Sequence, residues 1–311
     1  MAASKGTPVS VGGRDLTLTN LDKVLYPASD PSTGNPGPAF TKAEVIDYYA
    51  RIAPFVLPHL AGRCITFLRF PDGADKPGFF EKRCPKHRPD WVQTAIGPGD
   101  RGGDIGYCRL DEPASLVWSA NLAALELHVP MALAADLESP RAVVFDFDPG
   151  APATVVECCQ IALEVQEVLA SVNLDGFCKT SGSKGLQMYV PLNTPCTHEA
   201  AGDFALAVGQ VLERKLPDRV TTIMAKVERP GKIFVDWSQN SRHKTTIGVY
   251  SMRARVRPWV STPVTWDEVQ RCADGDLRLV FETSDVLDRV AEHGDLFEPV
   301  LTLEQELPRP R

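Results

Sequence analysis

Two periodicities run along the chain. After Thr41, the residues Val45, Ile46, Tyr49, Ile52 and Ala53 recur at helical spacing. Thr41 and Glu44 make a capping box for that helix, KAEVIDYYARIAPFVL. A second helix is predicted in ATVVECCQIALEVQEVLASV, where Val155, Cys159, Ala162, Val165, Val168 and Leu169 share a face. EAAGDFALAVGQVLERKL reads as a third. Short apolar runs read as strands in CITFLRF, RAVVFDFDPG and KIFVDWS, and GFCKTSGSKGLQMYVPL reads as strand, tight polar turn, strand. ASLVWSANLAALELHV is a buried helix or a mixed segment. The stretch 26–40, rich in Pro, Gly, Ser and Asn, is a long loop. WDEVQRCADGDLRLV predicts a solvated helix and LPRPR a frayed tail. The order strand–helix–strand–strand–helix–strand predicts an α+β fold with helices on one side of a sheet.

Composition narrows the setting. With 311 residues, 43% hydrophobic and 23% charged, the chain is long enough for one large domain or two ordinary ones. No apolar run approaches the ~20 residues of a membrane span, and the start lacks a signal-peptide core. A cytoplasmic protein with no membrane partner is expected. The eight cysteines are scattered without a C-x-x-C pair, so reduced, buried thiols are expected, with Cys84 and His87 structural or incidental neighbours. The net charge of −7 sits in residues 264–311, which hold twelve Asp/Glu and five Lys/Arg. Residues 226–257 carry eight Lys/Arg against Glu228 and Asp236, a phosphate footprint or a solvated basic face with equal claim.

The chemistry centres on RAVVFDFDPG. Strand side chains alternate, so Asp146 and Asp148 project together while Phe147 points into the core. Two carboxylates that close repel unless a cation lies between them, and hard divalent ions take such oxygen ligands. An Asp-x-Asp pair alone is common at exposed strand ends and specifies little. SGSKG adds a polar turn where backbone N–H groups and Lys184 could meet an anion, although it lacks the Walker A pattern. Asp236 ends another apolar run and could join the first two aspartates by sheet pairing, with Gln239, Lys244 and Arg253 as donors around it. Three carboxylates among basic and amide donors suit two-metal phosphoryl transfer. His128 beside apolar residues more often reads as a core histidine.

Taken together, VVFDFDPG, KTSGSKGLQMYVPL and KIFVDWSQN…KTT…YSMRAR resemble the polymerase domain of bacterial ATP-dependent DNA ligase D, of the archaeo-eukaryotic primase superfamily. The resemblance runs from LTNLDKVLYP through RFPDG…GFFEK…HRPDW to VTWDEV. It implies a primase-polymerase fold with a central, mostly antiparallel sheet flanked by helices. It implies template-dependent nucleotide addition in gap filling and end joining, a preference for ribonucleotides, and two Mn²⁺ or Mg²⁺ ions. By motif match, Asp146, Asp148 and Asp236 are the catalytic metal ligands. His128, Ser181, Lys184, Gln239 and Arg253 bind the nucleoside triphosphate. Asn20, Lys23 and Lys42 recognise a 5′-phosphate at a DNA end or gap, and Phe79 and Phe80 stack on the template. By their position alone, Phe79 and Phe80 would be ordinary core residues.

Three departures stand out: Gln187 replaces the histidine of SGSKGLH, LHVPM replaces LHPW, and the loop at residues 28–40 is extended. The expected organisation is a flexible start over 1–13, a catalytic domain over 14–300 and a tail over 301–311. Within the domain, about 14–115 would bind DNA ends and about 116–300 would carry catalysis. A monomer at the bacterial nucleoid is expected, with Ku and a separate DNA ligase as partners acting in trans. The rival readings are a primase that starts chains de novo, a non-catalytic DNA-end-binding module, and a D-x-D glycosyltransferase. The last explains neither Asp236 nor the basic segment.

Overall fold

The computed structural model describes residues 6–29, 36–100 and 102–308. The chain divides into two compact units. The first comprises Met1–Val129, Tyr250–Val260 and Phe281–Gly294, and the second Pro130–Val249, Ser261–Val280 and Asp295–Arg311. The division expected near residue 115 therefore falls at Val129, because the strand carrying His128 is built into the first unit. Two later segments also return to that unit.

In the first unit, β1 (Thr7–Val11) and β2 (Arg14–Leu18) pair antiparallel. Gly12 and Gly13, at φ 55 and 79, make the turn that L-residues with a Cβ would resist. Residues 7–13, expected to be flexible, are thus strand and turn; residues 1–5 lie outside the described residues. β3 (Val24–Tyr26) and β4 (Phe40–Thr41) close the ends of the 26–40 loop, and Ser29 and Gly37 add a bridge. The helix Lys42–Leu60 starts at the predicted capping box. Its Tyr49 hydroxyl donates to Leu125 O at 2.7 Å and accepts from Met252 N at 3.1 Å. β5 (Thr66–Arg69) lies antiparallel between β6 (Phe79–Glu81) and the later strand β9, and β7 (Thr94–Pro98) pairs with β8 (Asp104–Cys108). The mixed segment resolves into the helix Pro113–Asn121 and β9 (Ala124–Val129). Cys84 and Cys108 form a disulfide with Cα atoms 4.8 Å apart, contrary to the reduced pair expected. The signal missed in the sequence is spatial: the loop after β6 folds onto β8, where Cys84 N donates to Gly106 O at 2.8 Å, and residues 24 apart meet.

The second unit opens with the pair β10 (Ala132–Leu133) and β11 (Asp136–Pro140). Its core is a six-stranded sheet built from β12 (Ala142–Pro149), β13 (Phe177–Thr180), β14 (Leu186–Pro191), β15 (Val220–Thr221), β16 (Ile233–Asp236) and β18 (Pro263–Val264), while β17 is Thr246–Ile247. The order is β15-β16-β12-β14-β13-β18, antiparallel throughout except for the parallel β15–β16 pair. The helices Val155–Ser171 and His198–Lys215 pack on β12. Phe145 and Phe147 are fully buried. Phe145 meets Phe204 at 6.4 Å between ring centroids, and Cys158 Sγ donates to Phe147 O at 3.3 Å. Each such ring contributes ~1.5–3 kcal/mol through burial. That preference fixes the register, and Asp146 and Asp148 consequently occupy the opposite face.

Two expectations at the C-terminal end need correction. The helix Trp266–Ala273 is not simply solvated, because Val269 and Cys272 are completely buried. Nor is the segment after residue 300 a free tail. Gln305 N donates to Leu192 O at 2.8 Å, and its side-chain amide donates to Pro191 O at 2.8 Å. Residues 309–311 of the LPRPR end lie outside the described residues. Among the described residues, no helix is long and apolar enough to cross a membrane.

Candidate active site

The second unit aligns its charged groups in one row across the sheet. In strand register, Lys179 pairs with Gln187, Gln187's strand places it opposite Asp146, and Asp146 stands opposite Asp236. The pairing of β16 with β12 thus brings the third aspartate to the first, as its place at the end of an apolar run predicted. Burial, with the negative charge of Asp148 next, raises the Asp146 carboxyl to about 7; Asp236 adds to this, while Gln187 and Lys179 oppose it. Asp236 is held in place locally. Its Oδ1 accepts from Ser238 N at 3.0 Å and Ser238 Oγ at 2.5 Å, and its Oδ2 accepts from Gln239 Nε2 at 3.1 Å. Gln239 Oε1 is buried and, among the described residues, meets no hydrogen-bond donor.

A buried asparagine fixes the far edge of this arrangement. Asn240 Nδ2 donates to Val144 O at 2.8 Å, and its Oδ1 accepts from Val144 N at 2.8 Å. The side chain therefore continues the strand ladder beyond Asp236 and locks β12 two residues before Asp146. Neither Asn240 nor Lys179 stands out in the sequence, because an Asn in WSQN and a Lys in CKTSG read as ordinary turn residues.

SGSKG forms the tight turn between β13 and β14. Gly182 has φ +62, and a Cβ on Gly185 would lie 2.5 Å from Phe147 O. Glycine at these two positions lets the turn close down beside the aspartate strand. Ser181 Oγ accepts from Gly185 N at 3.1 Å, and Lys184 Nζ donates to Pro149 O at 3.3 Å. Ser181 and Lys184 therefore stand at the same end of β12 as Asp148.

These donors fit a hard divalent cation. Burial and the Asp148 charge both disfavour a bare Asp146 carboxylate, and a bound cation would offset both by neutralising the pair. Among the described residues, no three His, Cys, Asp or Glu groups form a ready-made cage. An ion held by one or two carboxylates completes its shell with water and phosphate oxygens.

The first unit carries a second cluster, around Glu126. This residue is 1% exposed, and it lies two positions before His128 on β9, hence on the same face. His128 Nε2 is 3.0 Å from Glu126 Oε2, Arg253 Nε is 3.2 Å from Oε1, and Ala254 N donates to Oε1 at 3.1 Å. Burial works against the Glu126 charge, but His128, Arg253 and the Ala254 N–H outweigh it and hold the carboxyl below its ordinary range. His128 is thus tied to a carboxylate rather than packed as an apolar-core histidine. Glu126 was missed in the sequence, although the alternation in LELHV contains it.

Phe79 and Phe80 are not core residues, being 46% and 61% exposed. Arg69 lies 5.3 Å from the Phe79 ring centroid, and Phe80 sits edge-on to His128 at 5.4 Å. Lys42 is buried, its Nζ donating to Thr19 O at 2.6 Å. Burial, then the charges of Lys23 and Arg69, lower its pKa to about 8. Lys23 pairs with Asp72 at 3.3 Å, and its N–H donates to Asn20 O at 3.0 Å. Asn20 itself has φ 53.

The basic run 226–257 is not one footprint. Residues 226–249 belong to the second unit and 250–257 to the first. Arg257 is buried in a bidentate pair with Glu282, at 2.9 and 2.8 Å, and is committed to structure. Lys226, Arg242, Lys244 and Arg255 remain exposed.

Comparison with known proteins follows the same lines. The family model for the LigD primase-polymerase domain matches residues 41–297. The multifunctional non-homologous end joining protein LigD of Mycolicibacterium smegmatis is 44% identical over 286 residues, covering 91% of this chain and 36% of that protein. The corresponding protein of Mycobacterium tuberculosis H37Rv is 42% identical over 297 residues, covering 93% of this chain and 37% of that protein. The chain thus spans a little over a third of these relatives. The solved polymerase domain from Mycobacterium tuberculosis Ligase D in complex with DNA superimposes with a TM-score of 0.82 at 40% identity, covering 93% of this chain and 99% of that one. With an aspartate row on a mostly antiparallel sheet and a family match over most of its length, the chain belongs to the LigD primase-polymerase domain family of metal-dependent, DNA-directed nucleotidyltransferases.

Proposed function

We propose that this chain extends primer 3′ ends opposite a template at gaps and broken ends, with a preference for ribonucleotides. The observation that carries this reading is the register of β12 and β16, which sets Asp236 opposite Asp146 with Asp148 two residues on. Asp146, Asp148 and Asp236 would hold two Mn²⁺ or Mg²⁺ ions, which supply charge neutralisation at the attacking and leaving oxygens when bound. Ser181 and Lys184 supply a hydroxyl and a point charge for the triphosphate. Gln239 orients Asp236 through Nε2 and keeps Oε1 as an acceptor for a nucleotide donor. Glu126 fixes the orientation of His128 and Arg253, whose remaining donors would bind nucleotide oxygens. The exposed Phe79 and Phe80 rings offer faces on which template bases stack without regard to sequence.

For the 5′-phosphate the candidates are Asn20, Lys23 and Lys42. Partner proteins would be Ku and a separate ligase, with this chain acting as a monomer in the bacterial cytoplasm. The test is extension of a primer on a gapped, 5′-phosphorylated duplex, with ribo- and deoxynucleotides and with Mg²⁺ and Mn²⁺. Asp146→Ala and Asp148→Ala should each remove extension while leaving duplex binding nearly unchanged. Extension retained by both variants would overturn the reading. Products on an unprimed template would indicate de novo priming.

A further inference from the structure

Lys179 is fully buried on β13, between β14 and the edge strand β18, where a lysine is costly to place. Its ammonium donates to Gln187 Oε1 at 2.6 Å, to Ser261 Oγ at 2.8 Å and to Ile247 O at 3.0 Å. Gln187 is 4% exposed and stands directly opposite Asp146 in the antiparallel register of β14 and β12, which puts the two side chains side by side on one face. The three residues occupy adjacent positions of one row across β13, β14 and β12.

A neutral amide has one acceptor oxygen and one donor nitrogen, and the two ends are not interchangeable once either is committed. An ammonium can only donate. With Lys179 on Oε1, the amide must turn its N–H₂ end to Asp146. Without the ammonium, nothing in that contact would prevent the amide from flipping and presenting oxygen to the carboxylate.

We propose that Lys179 and Gln187 form a two-residue positioning relay for Asp146: the buried ammonium sets the polarity of the Gln187 amide, and the amide N–H holds one Asp146 oxygen so that the other faces the cation. This rests on the metal-binding role proposed above for Asp146. The arrangement parallels metal sites in which an outer hydrogen bond orients a ligand, where loss of the outer partner lowers metal affinity 10–100-fold. The relay needs an acceptor facing Lys179 and a donor facing Asp146. A neutral imidazole meets that requirement with its two ring nitrogens, whereas leucine, methionine or glutamate at 187 does not.

The experiment measures Mn²⁺ binding by electron paramagnetic resonance in the nucleotide-free protein, alongside thermal unfolding, for wild type, Asp146→Asn, Gln187→Leu, Gln187→His, Lys179→Met and the double variant Lys179→Met/Gln187→Leu. Gln187→Leu should weaken Mn²⁺ binding about 10-fold or more. Gln187→His should bind within about threefold of wild type, since it restores both hydrogen bonds of the relay. The double variant should bind Mn²⁺ no more weakly than Gln187→Leu, because the lysine acts through the amide. If Lys179→Met fails to fold, the contrast between Gln187→Leu and Gln187→His still decides. Wild-type Mn²⁺ affinity in Gln187→Leu, or equal weakening by Leu and His, overturns the relay alone. Unchanged Mn²⁺ affinity in Asp146→Asn overturns both the relay and the metal role it rests on.

Discussion

At the residue scale, the unusual feature is an aspartate that holds its proton. Asp146 sits near 7 because burial and the charge of Asp148 oppose ionisation. An unfolded aspartate titrates near ~3.9. Between those values the folded chain binds more protons than the unfolded one, so the stability associated with the neutral carboxyl is complete below ~4 and is lost as pH rises toward 7. In chelator, Asp146→Asn should therefore flatten the dependence of unfolding on pH and raise stability at pH 8 by about 1–3 kcal/mol. Adding Mn²⁺ at pH 8 should stabilise wild type and not the variant. Parallel pH profiles for the two proteins would show that Asp146 does not carry the perturbed proton.

At the element scale, the sheet is positioned by groups other than the aspartates. Asn240 exchanges two hydrogen bonds with the Val144 backbone and donates to Trp237 O at 2.9 Å. Asn240→Ala should cost about 2–4 kcal/mol in chemical denaturation, since it leaves buried backbone groups unpaired. A loss below about 1 kcal/mol would mean that water or a backbone shift replaces the amide. In the first unit, the Cys84–Cys108 bond joins the segment after β6 to the end of β8 across a separation of 24 residues. Closing a loop of that size stabilises by roughly 3 kcal/mol in the chain-entropy account. Reductant should lower the unfolding temperature of wild type and have no effect on Cys84→Ser. Equal melting with and without reductant, together with free thiols at both positions by mass spectrometry, would rule the bond out.

For the whole molecule, charge distribution matters more than total charge. The net −7 coexists with exposed Lys226, Arg242, Lys244 and Arg255. Binding to gapped duplex should weaken steeply with salt, roughly 10²-fold between 50 and 200 mM for about four phosphate contacts. Replacing two of the exposed cations by Gln should lower the slope of log affinity against log salt by about 2. An unchanged slope would place the phosphate contacts elsewhere.

How much of this was legible in the sequence varied with the kind of information involved. The helix start at residue 42 was readable because a capping box is local: Thr41 and Glu44 cap it as their spacing predicts. The burial of Phe147 and the opposite facing of Asp146 were also readable, because strand alternation needs no partner. The extent of the flexible start was not, since Gly12 and Gly13 could equally have belonged to a loose terminus. The exposure of Phe79 and Phe80 was likewise hidden, as apolar type alone favours a core position.

The sequence by itself determined the period of each element, the pairing of Asp146 with Asp148 on one face, and the family to which the ordered motifs belong. Only the tertiary structure decided which strands became neighbours. That choice set Asp236 opposite Asp146, placed Lys179 and Gln187 in the same row, joined Cys84 to Cys108, and returned residues 250–260 and 281–294 to the first unit. The physical reason is that hydrophobic periodicity acts within a few residues, whereas strand order depends on how whole faces pack across long separations in sequence.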